Sequence, residues 1–102
     1  MFLFRRVEGF SMVPSYPHGK IVVASKRRKP KVGDVVIVKH HRVEHIKRVN
    51  KIDQDKAYVL GDNPEESTDS RHYGWLPLSS VLGVVLGGYS GEFTQTNTST
   101  ED

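Results

Sequence analysis

Apolar residues in this chain come in short bursts, not at helical intervals. Ile21-Val22-Val23-Ala24 and Val35-Val36-Ile37-Val38 are unbroken apolar runs flanked by polar and turn-forming residues. That is the pattern of strands buried on both faces. Lys29-Pro30-Lys31-Val32-Gly33-Asp34 joins them. A third strand is expected over Val43 to Val49, and a turn near Asp53-Gln54-Asp55 leads into a hairpin partner, Ala57-Tyr58-Val59-Leu60. A last strand runs from Val81 to Leu86 and ends at Gly87-Gly88. No segment has a convincing helical period. These readings predict an all-β domain, a small coiled or partly closed antiparallel sheet over residues 1–90. Residues 91–102 are polar and are expected to form a disordered tail.

One connection is too long for a simple turn. Gly61 to Gly74 holds Asp62, Asn63, Ser67, Asp69, Ser70, Arg71, His72 and Tyr73. Loops of this length inside a compact domain are usually functional or disordered. The density of hydrogen-bonding side chains predicts a loop folded on its own polar network, with Trp75 as a core plug that closes it.

Composition narrows the chemistry. The 102 residues suffice for one domain. The absence of cysteine excludes disulfides, thiol nucleophiles and thiolate metal sites. No apolar run approaches the ~18 residues of a membrane helix, so the chain as it stands is expected to be soluble and cytoplasmic. Membrane association is the alternative if an anchor has been removed. The net charge of +3 conceals an asymmetry: residues 20–51 carry 11 of the 15 Lys and Arg. A basic half suggests an anionic membrane surface or nucleic acid. The run Lys26-Arg27-Arg28-Lys29 reads more simply as a solvated turn between two strands.

Two residues stand out as chemistry. Ser11 lies in Gly9-Phe10-Ser11-Met12-Val13-Pro14, where Pro14 fixes its own φ and Gly9 permits close backbone approach. A nucleophilic serine needs such a constrained, exposed turn, although many serines before proline are only turn residues. In a strand over 43–49, Val43, His45, Lys47 and Val49 share one face, while Glu44 and Arg48 point the other way. A lysine desolvated on that face would have a lowered pKa and could serve as a general base. The same pattern fits a lysine at a strand edge that snorkels to water. His41 and His45 would share a face four residues apart, too far for easy chelation, and no metal or other cofactor is expected.

Taken in order, four segments resemble the successive boxes of the signal peptidase I family of Ser/Lys proteases. They are Ser11-Met12-Val13-Pro14, Pro30-Lys31-Val32-Gly33-Asp34-Val35-Val36, Lys47-Arg48-Val49, and Gly61-Asp62-Asn63 through Ser67, Asp69, Ser70 and Arg71. The resemblance implies Ser11 as nucleophile, Lys47 as general base and Ser67 as the hydroxyl that orients the lysine. Gly61 matches the glycine that opens the loop. Asp69 matches a carboxylate that pairs with nearby arginines, here Arg48 and Arg71. Asp62, Asn63 and Ser70 would hold the loop's shape.

The chain also departs from that family. Gly9 stands where some members carry an oxyanion-binding hydroxyl, and Gly19-Lys20 replaces the usual Gly-Asp. No segment of this sequence is expected to serve as the family's membrane anchor or its large extra β domain. Asp62-Asn63-Pro64-Glu65-Glu66-Ser67-Thr68-Asp69-Ser70-Arg71 is similar to short unanchored members, the maturation proteases of nickel-type superoxide dismutase. The resemblance therefore implies a polypeptide precursor as substrate, from which an N-terminal signal or pro-segment is removed. An anionic membrane surface is a further contact for the basic residues, and no specific nucleic acid is expected. The rival expectation is a catalytically idle member that binds nucleic acid or protein through its basic half.

Overall fold

The computed structural model describes residues 1–89. Seven strands make up one antiparallel sheet: β1 (Phe2–Arg6), β2 (Ile21–Ser25), β3 (Val35–His40), β4 (Val43–Asp53), β5 (Lys56–Leu60), β6 (Leu76–Pro77) and β7 (Val81–Tyr89). Their order across the sheet is β1-β2-β7-β3-β4-β5-β6. The all-β class read from the sequence is the class observed. The expected tail over 91–102 lies outside the described residues.

The central strand β3 explains its own sequence. Val35, Val36, Ile37 and Val38 are all buried, because β3 pairs with β4 on one side and β7 on the other and is covered on both faces. Val36, Val38, Val49, Val59, Val84, Ala57 and Leu76 form the main core cluster. Register shifts interrupt β2–β7 at Val23/Ala24, β3–β7 at Ile37/Val38 and β4–β5 at Val49/Lys51. Each extra residue bends its strand and adds local twist, and the sheet coils far enough for Arg5 on β1 to reach Glu44 on β4.

Several elements differ from their expected form. β1 lies outside the expected strands: Phe2-Leu3-Phe4 is a short apolar run broken by Arg5-Arg6, and it pairs its whole length with β2 while alternating between exposed and half-buried positions. β4 runs on to Asp53, since the shift near Asn50 lets it leave β3 and continue with β5. His41 is not a strand residue. With Arg42 it makes a two-residue hairpin at positive φ, 51° and 68°, the signature of a type I′ turn, so it does not share a face with His45. Trp75 is 41% exposed with its ring against Tyr58, and the adjacent Leu76 is the buried residue. Trp75 precedes β6, and Leu76, paired opposite Ala57 in the strand, takes the interior place.

The 61–74 connection is folded, as its polar content suggested. It holds a 3₁₀ turn at Pro64–Glu66 and a single helical turn, α1 (Ser70–Tyr73), too short to leave a period in the sequence. Asp69 caps α1: its carboxylate accepts from Arg71 N, while Asp69 N donates to His72 Nδ1. Lys26 to Lys29 are exposed in the turn between β2 and β3. Among the described residues no helix is long and apolar enough to cross a membrane.

Candidate active site

Lys47 enters the interior from the middle of β4, and only 3% of its surface is exposed. Its Nζ donates to Ser67 Oγ at 3.0 Å. Ser67 Oγ donates onward to Asp69 Oδ2 at 2.8 Å. The direction of this chain matters. The hydroxyl proton of Ser67 is committed to a carboxylate, so Ser67 can only accept from the lysine. One N–H of the amine is thereby fixed, and the amine's remaining positions are turned elsewhere.

Asp69 is the hub, fully buried. Besides Ser67 it accepts from the Gly61 N–H at 2.8 Å and from Arg71 Nε and Nη2 at 2.9 and 2.8 Å. Burial alone would raise its pKa. The hydrogen bonds from Arg71, Gly61 and Ser67 outweigh that and hold the carboxyl well below the usual carboxylate range. The Lys47 pKa is lowered, first by desolvation. The Asp69 charge opposes the fall and Arg71 assists it. His45, two residues along β4, is also pushed down by burial, then by Lys47 and His40.

Arg48 does not join Asp69, contrary to expectation. It donates Nε and Nη2 to Asp62 at 2.9 and 2.8 Å and Nη1 to Gly33 O at 2.9 Å. Strand alternation is the reason: next to an inward Lys47, Arg48 must point outward, where Asp62 waits. The Asp62 carboxyl is held below its ordinary value by Arg48.

Ser11 sits on a turn clamped from the same loop. Asn63 N donates to Ser11 O at 2.8 Å and Asn63 Nδ2 to Phe10 O at 3.0 Å. Met12, with no exposed surface, plugs the interior beneath the turn. Gly9, at φ 87°, donates its N–H to His18 Nδ1 at 2.8 Å. Sequence reasoning assigned Asn63 only to loop shape; its clamp on the serine turn was missed because no pattern links residues fifty positions apart. Ser70 does support the loop, by accepting from Val59 N.

Ser11 and Lys47 line one cavity of about 300 Å³. Its apolar walls are Val7, Met12, Ile37 and Ile46, and Arg5, Arg6, Glu8, Glu44 and His45 supply the polar remainder. Every site residue picked from the sequence therefore falls into one connected region except Arg48, which supports it from the far face through Asp62. A hydroxyl and a desolvated amine lining a common space suit proton abstraction and acyl transfer.

Gly61 marks the tightest point. A Cβ there would run into Ser67 Oγ and lie 2.6 Å from Ser67 Cβ and 2.8 Å from Ser11 O. Real Cβ atoms do not approach backbone so closely, so Gly61→Ala must displace both Ser67 and the serine turn. Shifts of this kind cost about 100-fold in rate. We expect Gly61→Ala to lower kcat/KM by roughly that factor while the folded β-sheet signature in circular dichroism persists.

A family model described as Peptidase S24-like matches residues 2–74, a span from β1 through α1 that includes each of these groups. No curated protein matches the chain.

Proposed function

The chain belongs to the Peptidase S24-like family, and from that premise we propose that it is a serine endopeptidase with Ser11 as nucleophile and Lys47 as general base. The observation that carries this reading is the buried relay Lys47–Ser67–Asp69, which opens onto the cavity shared with Ser11.

The chemistry follows from the groups. Neutral Lys47 takes the Ser11 proton as Oγ attacks the scissile carbonyl carbon. The oxyanion that forms is met by the Ser11 backbone N–H; such preorganised donors contribute a few kcal/mol. The tetrahedral adduct then collapses, the C–N bond breaks, and the leaving amine takes the proton from the Lys47 ammonium. A water deprotonated by the same amine hydrolyses the acyl-enzyme. Gly9 has no hydroxyl to add, so the backbone carries more of the oxyanion's stabilisation.

A peptide has a natural berth. β5 begins pairing with β4 only at Arg48, so Val43 to Lys47 carry β3 on one side and an open edge on the other. Among the described residues β1 is the outermost strand and also has an open edge. Residues of both strands line the cavity, which suits an extended substrate that adds as a strand. The substrate class is a polypeptide precursor that loses an N-terminal signal or pro-segment. The likeness of Asp62 to Arg71 to maturation proteases favours a particular soluble precursor over bulk signal-peptide removal. Lys26 to Lys29, exposed between β2 and β3, are available to an anionic surface.

The pH dependence of kcat/KM tests the base. With Lys47 lowered by desolvation, cleavage should rise with pH along a limb that reaches its plateau well below the ~10.4 of a free lysine. His45 lines the same cavity and, with its pKa lowered by burial, is the rival base. The limb is expected to survive in His45→Asn; its disappearance there would assign the base to histidine.

A further inference from the structure

One contact in the cavity wall plays no part in the chemistry above. Arg5 Nε and Nη2 hold both carboxylate oxygens of Glu44, at 2.6 and 3.1 Å. β1 and β4 are not neighbours in the sheet, so this ion pair crosses the gap between the two open edges. Both partners line the cavity that holds Ser11 and Lys47. Both side chains are also about one-third exposed, so the pair is weak and easily rearranged.

Its position sets which substrate residue it meets. Glu44 lies three residues from Lys47 on an extended strand, about 10 Å away. A peptide laid along the same edge with the same rise brings its third residue from the scissile bond beside the pair. The apolar walls, Val7, Met12, Ile37 and Ile46, serve the residue nearer the bond.

The charge at that point is unbalanced. Lys39 stands directly opposite Glu44 in the β3–β4 register, so Arg5, Lys39 and Glu44 sum to one positive charge. Arg6 and Glu8, also on the wall, cancel each other. Of the five N–H groups of Arg5, two go to Glu44 and one to Phe4 O, which leaves two for a ligand. The oxygens of Glu44 face two cations already. An incoming carboxylate would find free donors and neutralise the excess, whereas an incoming cation would compete with Arg5 and Lys39 for one carboxylate.

We infer that the Arg5–Glu44 clasp is a charge-reading subsite, which favours an acidic substrate side chain about three residues from the scissile bond. This inference rests on the endopeptidase reading of the site. Peptide binding excludes water from the pair and strengthens the contact, so discrimination between Glu and Lys at that substrate position should be about tenfold.

The test is cleavage of a random-sequence peptide library, with cut sites mapped by mass spectrometry, compared among wild type, Arg5→Gln and Glu44→Gln. The two variants are expected to move the acid-to-base ratio in opposite directions. Glu44→Gln leaves two cations and should raise the acidic preference severalfold. Arg5→Gln leaves Glu44 with Lys39 and should erase or reverse it. A bridge that merely braces the sheet would lower cleavage of all sequences alike in both variants, and that result overturns the inference while leaving the protease reading intact. An unchanged ratio in both variants does the same. If the wild-type protein cuts no member of the library, the protease reading and the clasp fall together. Should Arg5→Gln not fold, the rise expected in Glu44→Gln still decides the matter.

Discussion

Ser11→Ala and Lys47→Met are each expected to lower kcat/KM by about 10⁴-fold or more, to the background rate, without unfolding the protein. The reason is that the two groups act in one step: a hydroxyl without a base is a poor nucleophile, and a base without a hydroxyl has nothing to activate. Removing both should therefore cost little more than removing either, and the double variant is part of the measurement. Neither change should harm the fold. Ser11 Oγ contributes no hydrogen bond to the relay of Lys47, Ser67 and Asp69, and the turn it occupies is held by its backbone and by Met12. Lys47→Met keeps the length and apolar stem of the lysine and removes an amine whose charged form is disfavoured by burial. A thermal melt should place both variants at or slightly above the wild-type Tm, and a fall of several degrees would show that the site is part of the structural core.

Asp69→Asn should be the most destabilising single change in the site. The carboxylate accepts from the Gly61 N–H, the Ser67 hydroxyl, the Arg71 N–H and two guanidinium N–H groups. An amide presents two donors to a ring of donors. The cost of breaking such a buried pair is about 3–5 kcal/mol, and because Arg71 is partly exposed to water the lower figure is expected. That is a large fraction of the stability of a small domain.

The effect has a pH signature. Folded Asp69 is held well below its unfolded value of ~3.9, so in that interval the unfolded chain binds more protons and stability rises with pH. The contribution is complete above about pH 4 and drains away as the pH falls toward the folded pKa. The gap between wild type and Asp69→Asn should be full near neutrality and shrink in acid. In activity, loss of the Asp69 charge removes the one influence that raises the Lys47 pKa. The lysine limb should move to lower pH while the plateau drops, because Ser67 is no longer held. A variant that melts and cleaves like wild type would remove Asp69 from the account.

What could be read in advance followed from local rules, and what could not depended on contacts across the chain. The run Val35–Val38 announced itself because a strand covered on both faces needs continuous apolar residues, whereas Ile21–Ala24, equally apolar, buries only Val22 and Ala24 fully and leaves Ile21 exposed. Phe2–Arg6 did not announce itself, since three apolar residues followed by two arginines are too few to show a period, and Phe2 and Phe4 lie on the exposed side of an edge strand. Lys47 and Ser67 were legible through the order of short motifs, and strand alternation alone placed Arg48 on the opposite face from Lys47. Assigning Arg48 to Asp69 overlooked that rule; Asp62, its actual partner, was reserved for loop shape. Trp75 was misplaced by size: a large ring suggests a core plug, but the geometry of β6 left the interior to Leu76. The Asn63 clamp and the Arg5–Glu44 pair come from the coiling of the sheet, which arises from three register shifts that no residue pattern displays.

Ser11 as nucleophile and Lys47 as its activator stand or fall as one pair. Its most direct test is covalent trapping with a serine-directed phosphonate, followed by peptide mass mapping, in wild type and Lys47→Met across a pH series. The expected result is one adduct, on Ser11, with a rate in wild type that climbs along the same limb as cleavage and a rate in Lys47→Met that is very slow with no limb in that range. An adduct on another residue, or equal labelling of Ser11 with and without Lys47, would contradict it.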